Sequence, residues 1–278
     1  MLLTARCVAL TGASGGIGGA LTGELVRAGA RVIAIGRSEP ALHALVQEHE
    51  PGRVIPVIAD LTTPQGVHDV ARAMDQQGAS VLVLAHAQPA FGLFGEQSDR
   101  QMRQVVDTNL IAPMLLIHAA LPTLKRYQQA AVVAIGSTLG SLAHPGFAAY
   151  GATKFGLRGL IEGLAREYAD TSIQFQYLAP RATRTSFNSA AADAMNRELK
   201  VGQDEPAQVA AQLVRAIERG DARRQLGWPE SLFVRINQLF PSVVDRSLRN
   251  KLHIVRRHAG VTTSQSKSME RDHEEVPN

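Results

Sequence analysis

The amino-acid sequence predicts an α/β fold, in which helices cover both faces of a parallel sheet. Apolar runs of strand length alternate with helical patterns from residue 6 to residue 178. The first of these runs passes directly into a glycine-rich turn and then into a helix. With 278 residues, 45% of them hydrophobic, the chain is long enough for one large core, and no linker divides it.

Strands are predicted where a run of strand length is mostly apolar and bounded by turn residues. The run AAVVAI, for example, ends at Gly136 and is expected to form a fully buried strand. The predicted strands are residues 6–10, 31–35, 54–59, 81–85, 130–135, 172–178 and 225–228.

Helices are predicted where apolar residues recur at helical spacing. Pro64 stands near the start of one helix, and Gly220 follows the end of another. Pro113 and Pro122 interrupt a long apolar stretch, which we predict to be one kinked helix with a short extension. The predicted helices are residues 20–28, 64–77, 97–127, 148–168 and 205–219.

Composition excludes several classes of protein. The net charge is +4, but the basic residues are scattered until the C-terminal region and aromatic residues make up 5%, so nucleic-acid binding is not expected. Zinc-ligand spacing is lacking, and no metal site is predicted. The apolar runs are too short for a transmembrane helix. Cys7 is the single cysteine and the start lacks a secretory signal pattern, so a cytoplasmic location is expected.

The segment 11–18, TGASGGIG, is predicted to bind the pyrophosphate of a dinucleotide. It stands between a strand and a helix, the context that makes a glycine motif specific. Gly12 permits the tight turn, while Gly16 and Gly18 let the backbone approach a pyrophosphate at the positive N-terminus of the helix.

The end of the second strand bears on the choice of cofactor. Where an NAD-binding βαβ unit places an acidic residue for the ribose hydroxyls, this chain has Gly36 followed by Arg37. A guanidinium fits a 2′-phosphate, so NADP is favoured over NAD. The alternative is that Arg37 is a solvated residue at a strand end. Asp60 and Leu61 follow the third strand, where an adenine could contact both.

Three proton-handling side chains converge after the fifth strand. Ser137 follows that strand, and Tyr150 and Lys154 lie four residues apart on one face of a predicted helix. An adjacent ammonium lowers the pKa of a phenol from its usual value of about 10. We therefore expect Lys154 to lower the pKa of Tyr150, which exchanges a proton with a carbinol oxygen held by Ser137. The alternative is an ordinary surface helix, because this spacing is common by chance.

Two further polar residues lie between the fourth strand and this helix. His86 follows the fourth strand, and a structural role is predicted because an imidazole without a positioned partner is more often structural. Asn109 lies in the middle of a helix, where an amide needs a separate task. We expect it to bind a water or a backbone carbonyl behind Lys154.

In order and spacing, these motifs resemble those of the short-chain dehydrogenase/reductase family in its single-domain form. The resemblance covers roughly residues 4 to 230. It implies a doubly wound Rossmann fold for a domain of residues 1–230, assembled as a dimer or tetramer through the helices that carry Asn109 and Tyr150. The matching residues are TGASGGIG at 11–18, Asp60, Leu61, Asn109, Ser137, Tyr150, Lys154, Pro180, Thr183 and Thr185.

The resemblance also implies a role for each of these residues. Tyr150 is the acid/base and Ser137 orients the substrate. Lys154 binds the nicotinamide ribose, and Asn109 anchors a proton-relay water. Together with Arg37, the implied cofactor-binding residues are Gly12, Ser14, Gly15, Gly16, Ile17, Gly18, Asp60, Leu61, Ala87, Tyr150, Lys154, Pro180, Thr183 and Thr185.

The sequence departs from the family pattern at two places. The family's Asn-Asn-Ala-Gly after the fourth strand is replaced by Ala-His-Ala-Gln at 85–88, which keeps only Ala87. That motif braces the sheet and passes the adenine ribose, so the change bears on cofactor fit and not on chemistry. The family's Pro-Gly after the sixth strand is Pro180-Arg181 here, which puts a guanidinium within reach of the cofactor or of an anionic substrate group.

The last part of the chain holds the features most specific to this sequence. Residues 185–201 stand in the position of the family's substrate lid, and their apolar side chains suit either an apolar substrate or packing on the core. Residues 231–259 form a basic amphipathic extension. Its part 231–258 is expected to lie on an anionic membrane surface, on a neighbouring subunit or over the pocket. The polar tail, residues 260–278, is predicted to be disordered.

These features favour an NADP(H)-dependent oxidoreductase that interconverts a carbonyl and a secondary alcohol, with Tyr150 as acid/base. An apolar substrate such as a lipid, a steroid or an acyl chain is expected from the lid and the C-terminal extension alone. The alternatives are a non-catalytic NADP(H)-binding sensor and a dehydratase or epimerase of the same fold.

Overall fold

The chain forms a seven-stranded parallel sheet with helices on both faces, which confirms the predicted doubly wound α/β fold. The strands are β1 (Cys7–Thr11), β2 (Arg31–Gly36), β3 (Val54–Ile58), β4 (Val81–Leu84), β5 (Ala130–Ile135), β6 (Ile173–Ala179) and β7 (Arg223–Gln225). Their order in the sheet is β3-β2-β1-β4-β5-β6-β7, so the direction of winding reverses between β1 and β4. This computed structural model describes residues 1–274, and the side chains of residues 1–260.

Ten α-helices lie within the described part of the chain. Two of them, over residues 39–47 and 190–198, are missing from the list of predicted helices, although Ser38 Oγ caps the first by accepting a hydrogen bond from Ala41 N at 3.4 Å. The helices are α1 (Gly16–Arg27), α2 (Glu39–Gln47), α3 (Pro64–Gln77), α4 (Asp99–Val106), α5 (Ala112–Leu124), α6 (Ala148–Glu167), α7 (Ala190–Glu198), α8 (Pro206–Arg219), α9 (Glu230–Leu239) and α10 (Pro241–Glu274).

The sheet separates two apolar layers because side chains alternate along each strand. In β4, Leu82 and Leu84 belong to the layer shared with α3 and α5, whereas Val81 and Val83 belong to the layer shared with α1 and α8. Both β4 and β5 are fully buried, which explains why their sequences are continuously apolar. The core thus holds the carboxyl ends of the central strands rigidly in place.

The predicted long helix over residues 97–127 is divided into α4, a π-helical turn at Asp107–Ile111, and α5. Its start is set by Ser98 and Gln101, which form a reciprocal capping box. Pro113 stands two residues after this turn in a continuous helical backbone, where its missing N–H removes one helical hydrogen bond. The helix widens at the π-turn, which carries Asn109.

The continuous stretch Asp99–Leu124 is apolar and long enough to cross a membrane by length and composition, with a hydropathy of 1.4. These two properties also belong to core helices of globular proteins. Here α5 packs on α3, β4 and β5, and its side chains at Leu116 and Ala120 are fully buried in the core. We therefore attribute this stretch to the core of the α/β domain.

The last strand was predicted at residues 225–228, but it lies at Arg223–Gln225. The ladder ends with Leu226 N, which donates to Ala179 O at 2.8 Å. Gly227 then turns the chain away with a φ of 89°. The strand completes the sheet as predicted, but its bounds were placed too late because the prediction followed the apolar side chains, of which Trp228 is 68% exposed.

The C-terminal extension predicted at residues 231–259 lies in α9 and α10, and α10 packs on α7. The predicted disordered tail, residues 260–278, falls outside the residues whose side chains are described, apart from Gly260, and stays a prediction. Residues 275–278 lie outside the described chain altogether.

Candidate active site

The carboxyl ends of β1, β4, β5 and β6 meet at one edge of the sheet, beside the point where the winding reverses. The glycine-rich turn packs tightly there. Gly12 has a φ of 67°, and a Cβ on it would lie 2.8 Å from His86 Cα. A Cβ on Gly18 would overlap the Gly12 carbonyl oxygen. Only glycine fits these two positions, so the turn lies directly against the ends of β1 and β4.

The N-terminus of α1 is open to solvent. Its N-cap is Gly15, which provides no side-chain hydrogen bond, and Ser14, Gly15 and Gly16 are exposed. Ile17 follows in the first turn and is half-buried. Backbone amides at this positive helix end are therefore available to an anionic ligand.

The loop after β6 approaches the same turn. A Cβ on Gly16 would overlap the Thr185 methyl group, while Thr185 Oγ1 accepts a hydrogen bond from Phe187 N at 3.3 Å. Thr183 is buried, and its hydroxyl donates to Arg181 O at 3.0 Å. Pro180 O accepts from Thr138 N at 3.3 Å. The structure thus brings Thr185 to the turn, whereas the Thr183 hydroxyl is occupied within its own loop.

Arg37 is exposed at the end of β2, and no ion pair or hydrogen bond of its side chain occurs among the described residues. Ser14 Oγ lies 3.2 Å from the position that a Cβ on Gly36 would take, so the glycine-rich turn packs against the end of β2, next to Arg37 in the chain. Asp60 Oδ1 accepts hydrogen bonds from Thr62 N at 2.9 Å and Thr62 Oγ1 at 2.7 Å, which lower the pKa of Asp60. Leu61, beside it, is buried.

Ser137, Tyr150 and Lys154 come together as predicted from their spacing. Ser137 follows β5 and lies close enough to the Tyr150 phenol to act on its pKa, and both Tyr150 and Lys154 are buried on α6. Lys154 Nζ donates to Ile135 O at 3.2 Å and lies 5.7 Å from the centroid of the Tyr150 ring. The end of β5 and the residues after it therefore position both the Ser137 hydroxyl and the Lys154 ammonium beside the phenol.

The pKa of Tyr150 moves opposite to the sequence-based expectation. Burial raises it well above the usual range, because a phenolate at this depth loses its hydration, and the Ser137 hydrogen bond opposes this only in part. Burial also lowers the pKa of Lys154 to about 8. The expectation considered only the neighbouring charge, and desolvation of both groups outweighs it.

Asn109 occupies the π-turn and is almost fully buried. Its Oδ1 accepts from Gln88 N at 2.7 Å, and its Nδ2 donates to Gln88 O at 2.9 Å and to Thr153 Oγ1 at 3.2 Å. Thr153 in turn donates to Tyr150 O at 2.7 Å. The sequence analysis expected Asn109 to bind either a water or a backbone carbonyl behind Lys154. The side chain does bind backbone groups, but they belong to the loop after β4.

His86 fits the structural role predicted for it. Its Nδ1 lies 2.6 Å from Thr11 Oγ1, and burial lowers its pKa to about 4, so the ring is neutral. The contact ties the end of β4 to β1. Ala87, next in the chain, is half-buried in this braced loop.

Arg181 does not face a ligand, contrary to the sequence-based expectation. Its guanidinium forms ion pairs with Asp204 at 2.5 Å and Glu230 at 3.3 Å, and it donates to Trp228 O at 2.7 Å. Arg181 thereby ties the end of β6 to the segment before α9. These partners are remote in sequence, and no local signal predicted them.

Tyr177 is a residue of the site that sequence analysis missed. Its hydroxyl lies under the Ser137 loop, where it accepts from Ser137 N at 3.4 Å and donates to Lys154 O at 3.4 Å. A Cβ on Gly136 or on Gly140 would overlap the Tyr177 ring or hydroxyl. The two glycines that flank Ser137 were the available signal for a large side chain behind it.

A cavity of about 190 Å³ opens between the loop after β4 and the lid segment. Its lining mixes aromatic, small and amide side chains. Phe187 lies beside it with its ring 6.0 Å from that of Tyr150, whereas Met195 is fully buried in α7 and packs inward. The lining residues are Gln88, Pro89, Ala90, Phe91, Gln97, Gln101, Phe147, Asn188, Ser189 and Ala192.

The inner face of α10 packs behind the wall of this cavity. Val255 is fully buried, and Gly146 lies between it and the Phe91 ring of the cavity wall. Glu198, at the end of α7, pairs with Arg257 at 3.0 Å and His258 at 2.8 Å. The extension was expected on a membrane surface, on a neighbouring subunit or over the pocket. This face of α10 lies beside the pocket wall, which agrees with the third alternative.

The sheet order, the glycine turn and the buried Ser-Tyr-Lys cluster define a Rossmann-fold oxidoreductase. A family model described as short chain dehydrogenase matches residues 6–196. The chain belongs to the short-chain dehydrogenase family.

Curated relatives agree with this assignment. The 3-oxoacyl-[acyl-carrier-protein] reductase FabG of Escherichia coli (strain K12) is 27% identical over 186 residues, which cover 66% of this chain and 76% of the relative. An uncharacterized oxidoreductase of Myxococcus xanthus (strain DK1622) is 27% identical over 246 residues, covering 85% of this chain and 93% of the relative.

Solved structures share the fold. A short-chain dehydrogenase from Streptomyces avermitilis has a TM-score of 0.76 and 30% identity, covering 91% of this chain and 98% of that chain. One from Burkholderia cenocepacia J2315 in complex with NADP has a TM-score of 0.77 and 22% identity, with 89% and 99% covered. One from Burkholderia phymatum in complex with NAD has a TM-score of 0.80 and 20% identity, with 87% and 96% covered.

Proposed function

We propose that this protein is an NADP(H)-dependent oxidoreductase that interconverts a carbonyl and a secondary alcohol. The observation that carries the proposal is the buried cluster of Ser137, Tyr150 and Lys154 at the sheet edge that also presents the open N-terminus of α1. A protein that only senses a dinucleotide needs the helix end but has no use for a buried phenol beside an ammonium.

The residues of this edge fit a dinucleotide. The exposed amides at the start of α1 would hold its pyrophosphate, Arg37 its 2′-phosphate and Lys154 its nicotinamide ribose. When bound, the nicotinamide supplies or accepts the hydride. Arg37 supports NADP over NAD, and relatives of this fold bind either cofactor.

The chain's own part in the reaction is the handling of one proton. Burial keeps the Tyr150 phenol protonated, so its Oη can donate a proton to the oxygen of a carbonyl substrate, while the Ser137 hydroxyl holds the same oxygen by a hydrogen bond. Lys154, with a pKa of about 8, is mainly an ammonium at neutral pH and stabilises the phenolate that results. This arrangement suits carbonyl reduction.

The cavity supports an acyl chain among the apolar substrates. Its volume of about 190 Å³ is below the roughly 300–1,000 Å³ of pockets for drug-sized ligands, so it suits one end of a chain better than a rigid steroid. Phe91 and Phe147 provide apolar walls, and the Gln88 side chain adds a polar group to the lining. The relative that reduces 3-oxoacyl groups is consistent with this class.

We also propose that two copies associate through the helices that carry Asn109 and Tyr150. The outer faces of α5 and α6 expose large apolar side chains, including Met114, Leu115 and Phe155, at 42% to 50%. Large apolar side chains that are exposed in this way support an interface. Sedimentation of the protein with Leu115→Arg, which should yield monomers, tests this. The cytoplasmic location stays a prediction.

Replacing Tyr150 with Phe tests the catalytic proposal. Oxidation of NADPH is followed with a panel of ketones and 3-oxoacyl thioesters. The variant should lose roughly a hundredfold or more of the turnover while it keeps NADPH binding, because only the proton donor is removed. Tyr168→Phe, in the turn after the same helix, is the matched control and should keep both activities.

Three results would change the conclusion. Turnover by Tyr150→Phe equal to that of the parent would remove the phenol from the mechanism. A parent protein that binds NADPH but turns over no carbonyl would favour the sensor. Products that are dehydrated or epimerised, rather than reduced, would assign the protein to those reactions of the same fold.

A further inference from the structure

The junction of α9 and α10 exposes an apolar surface that no described part of the chain covers. We call these residues the α9–α10 corner. They are large side chains exposed by 39% to 72%, far above the level of a packed helix face. The corner consists of Trp228, Leu232, Phe233, Leu239, Phe240 and Val243.

The way α9 is attached leaves this surface outward. Val234 is the one residue of α9 that is buried, and Asn237 Nδ2 anchors the helix by donating to Ser141 O at 3.2 Å. A ten-residue helix that buries one side chain, and that is otherwise attached through Asn237, the Glu230–Arg181 ion pair and α10, would be expected to carry polar residues on the rest of its surface. Exposed aromatic and aliphatic side chains in one place instead mark a docking surface.

The corner is embedded in positive charge. Residues 231–260 contain six Lys or Arg and one acidic residue, Asp245. Arg235, Arg246 and Arg249 are exposed, and none of them forms an ion pair with a residue whose side chain is described. Apolar side chains bordered by unpaired guanidinium groups combine the two properties that a helix needs at an anionic lipid surface.

We propose that the α9–α10 corner docks on the surface of a bilayer that contains anionic lipids. The aromatic and aliphatic side chains enter the interfacial layer, and the neighbouring arginines bind lipid phosphates. A phosphate takes two hydrogen bonds from one guanidinium, which makes arginine well suited to this contact.

A second copy of the chain is the other occupant to consider, and charge argues against it. Two corners packed face to face would bring Arg235, Arg246 and Arg249 of one copy against the same residues of the other, and like charges repel. The chain also offers a separate apolar face for self-association, on α5 and α6, which lacks this excess of positive charge.

Docking in this orientation has a consequence for the substrate, and this step rests on the proposed function. About three turns further along α10, Val255 packs on Gly146 and thus on the Phe91 wall of the cavity. A bilayer at the corner would therefore meet the start of the helix whose later turns pack behind the pocket wall, so an acyl substrate could pass from the lipid along this helix to the pocket.

Flotation with vesicles tests the docking without any use of catalytic activity. The full chain is mixed with vesicles of phosphatidylcholine and phosphatidylglycerol at roughly three to one, or of phosphatidylcholine alone. We expect the parent protein to float with the anionic vesicles. Combined replacement of Phe233, Leu239 and Phe240 by Ser should weaken binding roughly tenfold or more. Replacing Arg246 and Arg249 by Ser should weaken it by about fivefold for each arginine.

Matched controls separate this surface from general stickiness. Leu2→Ser removes an equally exposed apolar side chain far from the corner, and Arg215→Ser removes an exposed charge on α8. Both should float like the parent. Circular dichroism and NADPH titration verify that the corner variants fold. Phe240→Ser alone replaces the triple variant should that protein fail to fold.

Several outcomes would overturn the proposal. The proposal fails if the parent does not float with anionic vesicles, or if the parent and the corner variants float equally. It also fails if the corner variants change their oligomeric state without a change in flotation. An enzyme that floats as expected but reduces no carbonyl would leave the docking intact and refute only the proposed function.

Discussion

Replacing Arg37 with Ser isolates the contribution of one guanidinium to the choice of cofactor. Arg37 is exposed and makes no side-chain hydrogen bond or ion pair among the described residues, so its removal costs the folded protein only a screened attraction to Asp60. The stability of the variant should therefore equal that of the parent. Any change in nucleotide binding then reports the contact with the nucleotide itself.

The size of the effect follows from the exposure of the site. A hydrogen bond to a charged group contributes about 1.5–3 kcal/mol, and a solvent-exposed one lies near the lower end. A loss of about 1.5 kcal/mol weakens binding of NADPH roughly tenfold. NADH has no 2′-phosphate, so its affinity should change less than about twofold. The preference for NADPH should thus fall by roughly one order of magnitude.

Titration of both proteins with NADPH and NADH, followed by nicotinamide fluorescence, measures this preference directly. Arg215→Ser is the control, because it removes an equally exposed charge remote from the sheet edge. If the variant binds NADPH and NADH more weakly by the same factor, Arg37 acts by attracting any negatively charged nucleotide and not by binding the 2′-phosphate. An unchanged affinity for NADPH would refute the assignment of the 2′-phosphate to this residue.

Three other predictions concern stability. Lys154→Met should raise the free energy of unfolding at pH 7 by roughly 1–3 kcal/mol while turnover is lost, because the buried ammonium has a pKa of about 8 and folding opposes its charge. Between about pH 8 and the usual lysine pKa of 10.5, the unfolded parent chain binds more protons than the folded one, so the stability of the parent should rise with pH in this range. The stability of Lys154→Met should not show this rise, and urea denaturation at several pH values measures the difference. Gly18→Ala should lower the free energy of unfolding by about 1–3 kcal/mol, because the new Cβ overlaps a carbonyl oxygen. Gly19→Ala is the control, because its Cβ would make an ordinary contact at 3.8 Å. Equal melting temperatures of the two variants would contradict this prediction. Arg181→Ala should lower the free energy of unfolding by about 3 kcal/mol, because it leaves two carboxylates without their ion-pair partner. The KM for NADPH should stay unchanged. A raised KM would support the ligand role that the sequence predicted for Arg181.

Features fixed by short-range chemistry were predictable from the sequence. The tight turn at Gly12 follows from a strand, a glycine motif and a helix in immediate succession. The meeting of Tyr150 and Lys154 follows from a four-residue spacing on a helix. Both depend on backbone geometry that neighbouring residues determine, and β5 and α3 appear at the predicted bounds for the same reason.

Features that depend on distant partners were not predictable. Arg181 finds its two carboxylates at Asp204 and Glu230, which only the folded chain brings near it. The partner of Asn109 is the backbone of Gln88, and the π-turn that carries Asn109 was not predicted, because Pro113 indicated only that the helix is disturbed. The pKa of Tyr150 belongs to the same group, since burial is a property of the whole fold and outweighs a neighbour that the sequence reveals.

The C-terminal extension shows why amphipathic patterning alone left three alternatives open. Its apolar residues are of similar types throughout, yet Val255 is fully buried against the pocket wall whereas Phe240 is 61% exposed. A pattern of apolar positions states that a helix has a face, and the fold decides which part of that face meets protein. Here the later turns of α10 face the cavity loops, and the junction with α9 faces outward beside unpaired arginines. One segment can therefore close the pocket with one end and meet lipid with the other, so two of the alternatives are compatible and occupy different residues.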